Sequence, residues 1–344
     1  MPEQSAAAGN SLATRRRRRL TGLVVLVVAL LLAALASVAF GERNIPLSAV
    51  WHAIFTPSGT EFDIIVGALR IPRTLLGLAV GIALGVAGAL MQGHTRNPLA
   101  DPGLLGVTQG AAFAVVLSIT VFGMTYVSGQ VLFAFAGALI ASAVVFALGS
   151  VGRGGATPVT LALAGATISW LLLGLTSALV LLDQRGMEVY RFWRIGSLAR
   201  SEYESAATVL PFLLVGLVLA VLNTPGLNTL ALGEDIAKGL GQRVRLTRFV
   251  GLGAIALLTG SAVAACGPIA FVGLVVPHIA RGITGADYRW LVPYAGLLGA
   301  ILLLVADVLG RVLAADRFEV GIMLTVLGAP AFIYLVRSVR LVRL

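Results

Sequence analysis

The sequence predicts an all-α protein that crosses a membrane about ten times. Of its 344 residues, 58% are hydrophobic and only 12% are charged, whereas an average soluble domain is roughly 25% charged. Its apolar runs approach 20 residues, the length of helix that crosses a hydrocarbon core of about 30 Å. Glycines and prolines lie within these runs, as is common where membrane helices bend and pack closely.

Ten apolar runs are candidate membrane spans by this length criterion. In chain order they are residues 20–40, 75–92, 104–122, 129–148, 159–182, 206–222, 249–265, 268–283, 291–309 and 321–336. Residues 1–19 are predicted to form a polar N-terminal tail, and residues 20–344 a single membrane domain. The first run is longer than the apolar core of roughly 7 to 15 residues in a signal peptide. An uncleaved first span is therefore favoured over a cleaved signal, which stays the alternative.

Basic residues predict the orientation of the chain. Five consecutive arginines, Arg15 to Arg19, precede the first run, and basic residues near span ends are retained in the cytoplasm. Ten spans then place both termini in the cytoplasm. The formal net charge of +10 fits attraction to an anionic inner leaflet, so nucleic-acid binding is not expected.

Several chemical functions lack the residues that they require. The sequence has no G-x-x-x-x-G-K-[ST] phosphate loop, so any ATP would be bound and hydrolysed by other chains. His52, His94 and His278 lie in different segments, without the spacing of a zinc site, and Cys266 is the one cysteine. No G-x-S-x-G serine motif occurs. We therefore expect no catalytic residue, no metal site and no cofactor on this chain.

Asp307 is the one acidic residue predicted inside a span. A buried Asp costs roughly 2.5 to 3.5 kcal/mol on insertion scales, so it needs a partner or a purpose. Arg311 follows four residues later, a spacing that favours a helical ion pair. The alternative is a proton relay, which would make the protein a proton-coupled secondary transporter.

The connection over residues 223–248 is predicted to be the longest on the cytoplasmic side. Its LALGEDIAKGLG segment is typical of short helices separated by turns. Leucine and isoleucine side chains would form an apolar side, with charged side chains toward water. A partner groove is the favoured interpretation, and an interfacial helix lying on lipid is the alternative. The residues of this predicted contact are Leu230, Leu232, Gly233, Glu234, Asp235, Ile236, Lys238, Gly239, Leu240 and Gly241.

Two smaller patterns are interpreted as scaffold. Gly77, Gly81 and Gly85 repeat at four-residue intervals, a small-residue stripe that lets a neighbouring helix approach. In MQGHTRNPLADPGLLG, Asn97 and the two prolines favour tight turns, and Asp101 is placed to cap a helix that begins at Pro102.

Arginines mark the predicted outer face. Arg70 and Arg73 flank the proline of LRIPRTL, and Arg311 lies at the end of the ninth span. A guanidinium group matches a carboxylate, so these arginines can dock acidic side chains of a soluble partner. Snorkelling toward the lipid headgroups is an equally good interpretation of the pattern alone.

Long motifs resemble those of one family. LRIPRTL, GALMQGHTRNPLADPGLLGV, RFWRIGSLA, LALGEDIAKGLG and GPIAFVGLVVPHIARGITGADYRWLVP closely resemble the iron-siderophore (FecCD) permeases of ATP-binding-cassette importers, relatives of the vitamin B12 importer permease. The likeness covers the chain from about Leu69 to Val336 and is greatest to permeases for ferric catecholate siderophores. RFEVGIM departs from the proline-containing version that is common in the family.

The resemblance implies a type II importer permease of ten helices. It implies two such subunits around the substrate path, with a related second chain favoured over an identical one. Two ATPase subunits, which bind ATP and Mg²⁺, would contact residues 230–241, and an extracytoplasmic siderophore-binding protein would dock at Arg70, Arg73 and Arg311. It places the chain in the bacterial inner membrane. The fifth span's position in the family suggests that the path is lined by Thr167, Ser169, Thr176 and Ser177.

Overall fold

The computed structural model describes residues 2–151, 157–199, 203–313 and 318–338. The described residues are helical and contain no strand. The helices are α1 (Pro2–Ala39), α2 (Leu47–Phe55), α3 (Glu61–Ile64), α4 (Ile71–Thr95), α5 (Val107–Thr120), α6 (Val127–Gly149), α7 (Pro158–Leu182), α8 (Gln184–Trp193), α9 (Tyr203–Leu230), α10 (Glu234–Gly239), α11 (Val244–Cys266), α12 (Val272–Thr284), α13 (Tyr288–Leu313) and α14 (Val320–Ser338). A π-helical turn, Ile65–Arg70, joins α3 to α4, and a 3₁₀ turn, Pro102–Leu105, precedes α5.

Each of the ten predicted spans falls on one helix of the described residues. Seven segments are long and apolar enough to cross a membrane: Arg16–Ala39, Glu61–Thr95, Val127–Gly149, Pro158–Leu182, Ala206–Leu230, Val244–Cys266 and Tyr288–Leu313. The other three, Val107–Thr120, Val272–Thr284 and Val320–Tyr334, are shorter apolar helices. The prediction of an all-α, multi-pass membrane protein is confirmed.

The eighth span begins later than predicted. The prediction started at residue 268, but α12 starts at Val272, and residues 267–270 are not helical. Gly267 has φ 73°, a conformation that suits glycine, and Phe271 adopts a left-handed φ of 68° before the helix. Pro268 cannot donate a backbone hydrogen bond to continue α11. The result is a short helix that begins after a break.

The core lies where α4, α11 and α13 meet. The apolar windows of α4 and α11 are each 78% buried within the chain, against 11% for α7, which lies at the edge. Cβ atoms at Gly81 and Gly85 would overlap the backbone of α13 at Ala300 and Ala295. The glycine stripe therefore packs two helices in backbone contact, as predicted.

The N-terminal arginine run is part of α1 rather than a separate tail. Arg19 donates to the carbonyl oxygen of Thr284 at 2.6 Å, and its guanidinium lies 3.7 Å from the Asp287 carboxylate. The Tyr294 hydroxyl donates to the Arg19 carbonyl at 2.5 Å. These contacts fix the start of the first span against α12 and α13, at the face of the molecule that we call the N-terminal face.

The segment after α4 forms two side-chain turns on this N-terminal face. Asn97 Oδ1 accepts from the Leu99 N–H at 2.9 Å, and Asp101 Oδ1 accepts from the Gly103 N–H at 2.7 Å. The predicted Asp101 cap is confirmed, but it begins the 3₁₀ turn and not α5. Gly106, with φ 72°, separates the turn from α5. Burial raises the pKa of Asp101 above its ordinary value.

Candidate functional site

A buried ion cluster joins α4 to α13 at the face opposite the N-terminal face. Arg73 donates to Asp307 Oδ1 from Nε at 3.1 Å and from Nη2 at 2.8 Å, and Arg311 Nη2 lies 3.0 Å from Asp307 Oδ2. Asp307 is 1% exposed, and the two arginines are 8% and 5% exposed. The predicted ion pair with Arg311 is confirmed. One carboxylate thus contacts two guanidinium groups, so every charge of the cluster has a hydrogen-bonded partner.

The same cluster closes the end of α1. Arg311 donates from both terminal nitrogens to the Ser37 carbonyl, at 3.1 and 3.0 Å, and from Nη1 to the Phe40 carbonyl at 3.0 Å. Arg70 donates to the Val38 carbonyl at 2.7 Å and also to the Arg43 carbonyl. The last carbonyls of a helix lack partners within it and carry partial negative charge. Positive side chains from the π-helical turn before α4 and from α13 supply both the donors and the charge.

The arrangement of Arg70, Arg73 and Arg311 differs from the expected exposed guanidinium groups. All three are buried and bound within the chain, because the end of α1 and Asp307 offer acceptors that the sequence pattern does not bring together. They nevertheless line one open cavity of about 490 Å³, together with Arg43 and Glu61. The docking role stays a prediction, and the described contacts give these arginines a structural role as well.

The segment between α9 and α11 protrudes from the N-terminal face as a small tip. Gly233 takes φ 122°, and the short helix α10 follows. Leu232, Ile236 and Leu240 are 60%, 55% and 66% exposed. These three are the large apolar side chains exposed on what we call the coupling tip, residues 231–243. Leu230 is buried against Ala237 and Val244, and it holds the tip to the membrane helices.

Ion pairs fix the orientation of the coupling tip. Glu234 Oε1 lies 3.0 Å from Lys238 Nζ, and Glu234 Oε2 lies 2.7 Å from Arg248 Nη2 on α11. The hydrogen bond from Lys238, followed by the positive charges of Arg248 and Lys238, lowers the pKa of Glu234. Arg96, after α4, donates to the Leu230 carbonyl at 2.7 Å. A displacement of the tip would therefore be transmitted to α4, α9 and α11 through these contacts.

The predicted loop over residues 223–248 is shorter than expected. α9 continues to Leu230 and α11 starts at Val244, so the connection is the 13-residue stretch 231–243. Asn223 lies within α9, where its amide binds the Thr247 carbonyl at 2.7 Å and His94 at 3.1 Å. Leu230 was assigned to the apolar contact side, which is wrong, because it is 4% exposed.

The predicted path residues on α7 do not share one environment. Thr167 and Ser177 are exposed, Ser169 is half-buried, and Thr176 is fully buried. Thr167, Thr176 and Ser177 each donate to the carbonyl of the residue four positions earlier. A buried hydroxyl that is satisfied by its own helix cannot line an open path, so Thr176 is removed from the set.

A family model for the FecCD transport family matches residues 28–338. The chain belongs to the FecCD transport family. Among curated proteins, this FecCD chain is 46% identical over 307 residues to the ferric enterobactin transport system permease protein FepD of Escherichia coli K12, covering 89% of this chain and 91% of that one. It is 42% identical to the iron(3+)-hydroxamate import system permease protein FhuB of Bacillus subtilis, covering 89% and 80%.

A solved structure has the same fold as this FecCD chain. It is a metal-chelate type ABC transporter in an inward-facing conformation, 29% identical in sequence, with a TM-score of 0.79. The superposition covers 93% of this chain and 100% of the other. The expected permease architecture is thereby confirmed.

Two contacts in the candidate site of this FecCD chain cannot be predicted from the spacing of residues in the sequence. Arg73 and Asp307 are 234 positions apart, and no local spacing links them. Arg248 lies 14 positions from Glu234, beyond the three- or four-residue spacing of helical pairs. The Glu234 to Lys238 pair, in contrast, has the i, i+4 spacing that a sequence displays.

Proposed function

We propose that this chain is the permease subunit of an ATP-binding-cassette importer that carries ferric siderophores into the cytoplasm. Family membership and the names of its relatives, which transport ferric enterobactin and iron(3+)-hydroxamate, support this proposal. A ferric catecholate siderophore is the favoured cargo, because of the likeness to the enterobactin permease. The chain makes and breaks no bond in its cargo, and it supplies a path and a moving gate.

The coupling tip is the observation that carries the mechanism. It presents Leu232, Ile236 and Leu240 outside the membrane helices, where exposed apolar side chains need a cover. The ion pair between Glu234 and Arg248 of α11 holds the tip in one orientation. The hydrogen bond from Arg96 to the Leu230 carbonyl, just before the tip, links this region to α4. We assign its cover to a groove on one of two ATPase subunits, which bind ATP and Mg²⁺. Closure of those subunits would push the tip and tilt the helices to which it is tied.

A second permease and a soluble binding protein complete the assembly. Two permease subunits would enclose the path, with a related chain favoured over an identical one. The α7 face that carries Thr167 and Ser177 is exposed in this chain and would face the partner permease. A siderophore-binding protein would insert acidic side chains into the open cavity lined by Arg70, Arg73 and Arg311.

The orientation follows from charge. The N-terminal face carries Arg19, Arg96 and the coupling tip, and basic connections are retained in the cytoplasm. We therefore place this face in the cytoplasm of a bacterium, the opposite face outside the inner membrane, and both termini inside. The last residues, 339–344, lie outside the described part of the chain.

Reconstitution tests the proposal. Proteoliposomes holding this permease with its partner permease and ATPase should take up a ferric siderophore when ATP and the loaded binding protein are supplied. Omission of the ATPase should abolish uptake, and an imposed proton gradient should not restore it. Proton-driven uptake without the ATPase, lost in the Asp307→Asn variant, would establish the secondary-transporter alternative. The Arg73 and Arg311 contacts of Asp307 count against that alternative, because both of its carboxylate oxygens are already bound by guanidinium groups.

A further inference from the structure

A cavity of about 260 Å³ opens beside the break between α11 and α12. It lies between the first turn of α5, the end of α8, the non-helical residues before α12, and the start of α14. Its lining includes five polar side chains, those of Thr108, Gln109, Tyr190, Arg194 and Thr325, and the indole of Trp193. Pro268, before α12, and Gly321, at the start of α14, also line it.

The cavity lies at about the middle of the membrane. Thr120, at the end of α5, donates to Asp183 at the start of α8 at 3.2 Å, so both lie at the outer face. Gln109 precedes Thr120 on the same helix by about three turns, or roughly 16 Å at 1.5 Å per residue. That is about half of a hydrocarbon core of about 30 Å. Arg194, just after α8, lines the same cavity.

The polar groups of this cavity have bonding capacity left over. Arg194 is exposed, and its guanidinium forms no hydrogen bond or ion pair with any residue that the structure describes. Gln109 Oε1 is buried without a hydrogen-bond partner among those residues, so the amide is not fixed by its acceptor end and its Nε2–H groups are the part that can donate to an anion. An uncompensated arginine and an unpaired amide oxygen facing lipid would be costly. The cavity therefore opens onto a polar path and can contact the cargo that moves along this path.

The electrostatics of the cavity favour an anion. The segment from Gln184 to Arg194 carries three arginines and one glutamate, Glu188. Glu319, before α14, is occupied by the Ser197 hydroxyl at 2.6 Å. Two short helices, α5 and α12, begin at the cavity, and helix N-termini carry partial positive charge. Thr325 donates its hydroxyl proton to the Gly321 carbonyl. The other side-chain donors of the lining are those of Arg194, Tyr190, Gln109, Thr108 and Trp193.

We propose that this cavity is a transient binding station for one arm of an anionic ferric chelate on its way inward, an inference that rests on the proposed import function. A catecholate arm carries two negative charges, so three arms around Fe³⁺ leave a triply negative complex, whereas three hydroxamate arms leave a neutral one. Arg194 would balance the excess negative charge, and the Gln109 amide nitrogen would donate to an oxygen of the arm. The station would select for anionic catecholate or citrate chelates over neutral hydroxamates.

The test compares two cargoes in the complete importer. Proteoliposomes receive either a ferric tris-catecholate or a neutral ferric trihydroxamate, each at saturating concentration with a binding protein that accepts it. Arg194→Gln should lower the uptake rate of the tris-catecholate about tenfold, the value of one lost charge-assisted contact. Uptake of the trihydroxamate should change less than about twofold, and Arg194→Lys should restore part of the catecholate rate.

Matched controls separate this station from a general defect. Arg191→Gln removes an exposed arginine from the same helix that does not line the cavity, and it should leave both rates unchanged. Gln109→Leu should reduce catecholate uptake at unchanged ATPase activity. Equal losses for both cargoes, or no loss in Arg194→Gln, would overturn the station while leaving the importer intact. Absence of ATP-dependent uptake of either cargo by the unsubstituted complex would instead overturn the proposed function.

Discussion

The chain has two charged clusters at its two faces, and they are built in opposite ways. Around Asp307, charges lie inside the fold, and the two arginines that pair with it are less than 10% exposed. Around Glu234, the ion pairs lie at the surface, and apolar side chains are exposed beside charged ones. Sequence patterns assigned both regions to partner contacts. In the structure, the cluster around Asp307 binds the ends of helices to one another. The ion pairs of Glu234 orient a segment that exposes apolar side chains.

The difference follows from solvent. Buried charges in a membrane protein need complete pairing, so Arg70, Arg73 and Arg311 bind internal acceptors. Charges at an aqueous surface need no such pairing, so those of Glu234, Lys238 and Arg248 serve to orient a protrusion. Substitutions in the first cluster should therefore act on folding, and those in the second on assembly. The four predictions below test that division.

The largest effect is expected for Asp307→Asn. It leaves Arg73 and Arg311 buried without their counter-charge, which costs about 3 to 5 kcal/mol. The thermal unfolding temperature of the purified permease in detergent should fall sharply. Glu61→Gln, which removes an exposed acid paired with Arg43, is the matched control and should change little. An unchanged unfolding temperature in Asp307→Asn would mean that the cluster is not structural.

Ile236→Asp should weaken ATPase binding with little effect on folding. Burial of such a side chain is worth about 1.5 to 3 kcal/mol, so the affinity should fall about 10- to 100-fold. Affinity can be measured by titrating the detergent-purified ATPase onto immobilised permease. Phe62→Asp, an exposed apolar position on the opposite face, serves as control. A loss of thermal stability equal to that of Asp307→Asn would contradict the division between the clusters.

Glu234→Gln should have a smaller effect, about two- to fivefold on ATPase affinity, because exposed ion pairs contribute about 1 kcal/mol or less. The lowered pKa of Glu234 also sets a pH dependence. Its contribution is present above the ordinary Glu pKa, near 4.3, and is lost as pH falls further. The stability of the permease should thus show an acid-side loss that is reduced in Glu234→Gln. Identical acid profiles would show that the pairs do not form.

The smallest effect is expected for Thr176→Val. Its hydroxyl is buried and donates to the Leu172 carbonyl of its own helix, so the exchange removes one local bond and leaves the helix surface unchanged. Uptake normalised to permease content should change less than about twofold. A tenfold decrease in uptake would indicate that Thr176 lines the path after all. Thr167→Val, on the exposed face of the same helix, is the comparison variant.

Local patterns were enough to predict the spans, because each span buries or faces lipid with apolar side chains over a fixed length. They also predicted the Asp307 to Arg311 pair and the Asp101 cap, which depend on neighbours within four residues. They failed for Arg70 and Arg73, whose acceptors lie on α1 and α13. They failed for Thr176 as well, because α7 is apolar on most of its surface and its sequence does not reveal which side is covered.

The capping of α1 has a consequence for biosynthesis. The carbonyls at its end are satisfied by Arg311, which lies 274 positions after Ser37, and by Arg70. Because α1 leaves the ribosome before α13, its end stays incomplete until α13 is inserted. Until then a half-made chain holds unpaired carbonyl oxygens at the end of α1. Chains truncated before α13 should therefore be recognised and degraded by membrane proteases, even when their early helices are inserted correctly.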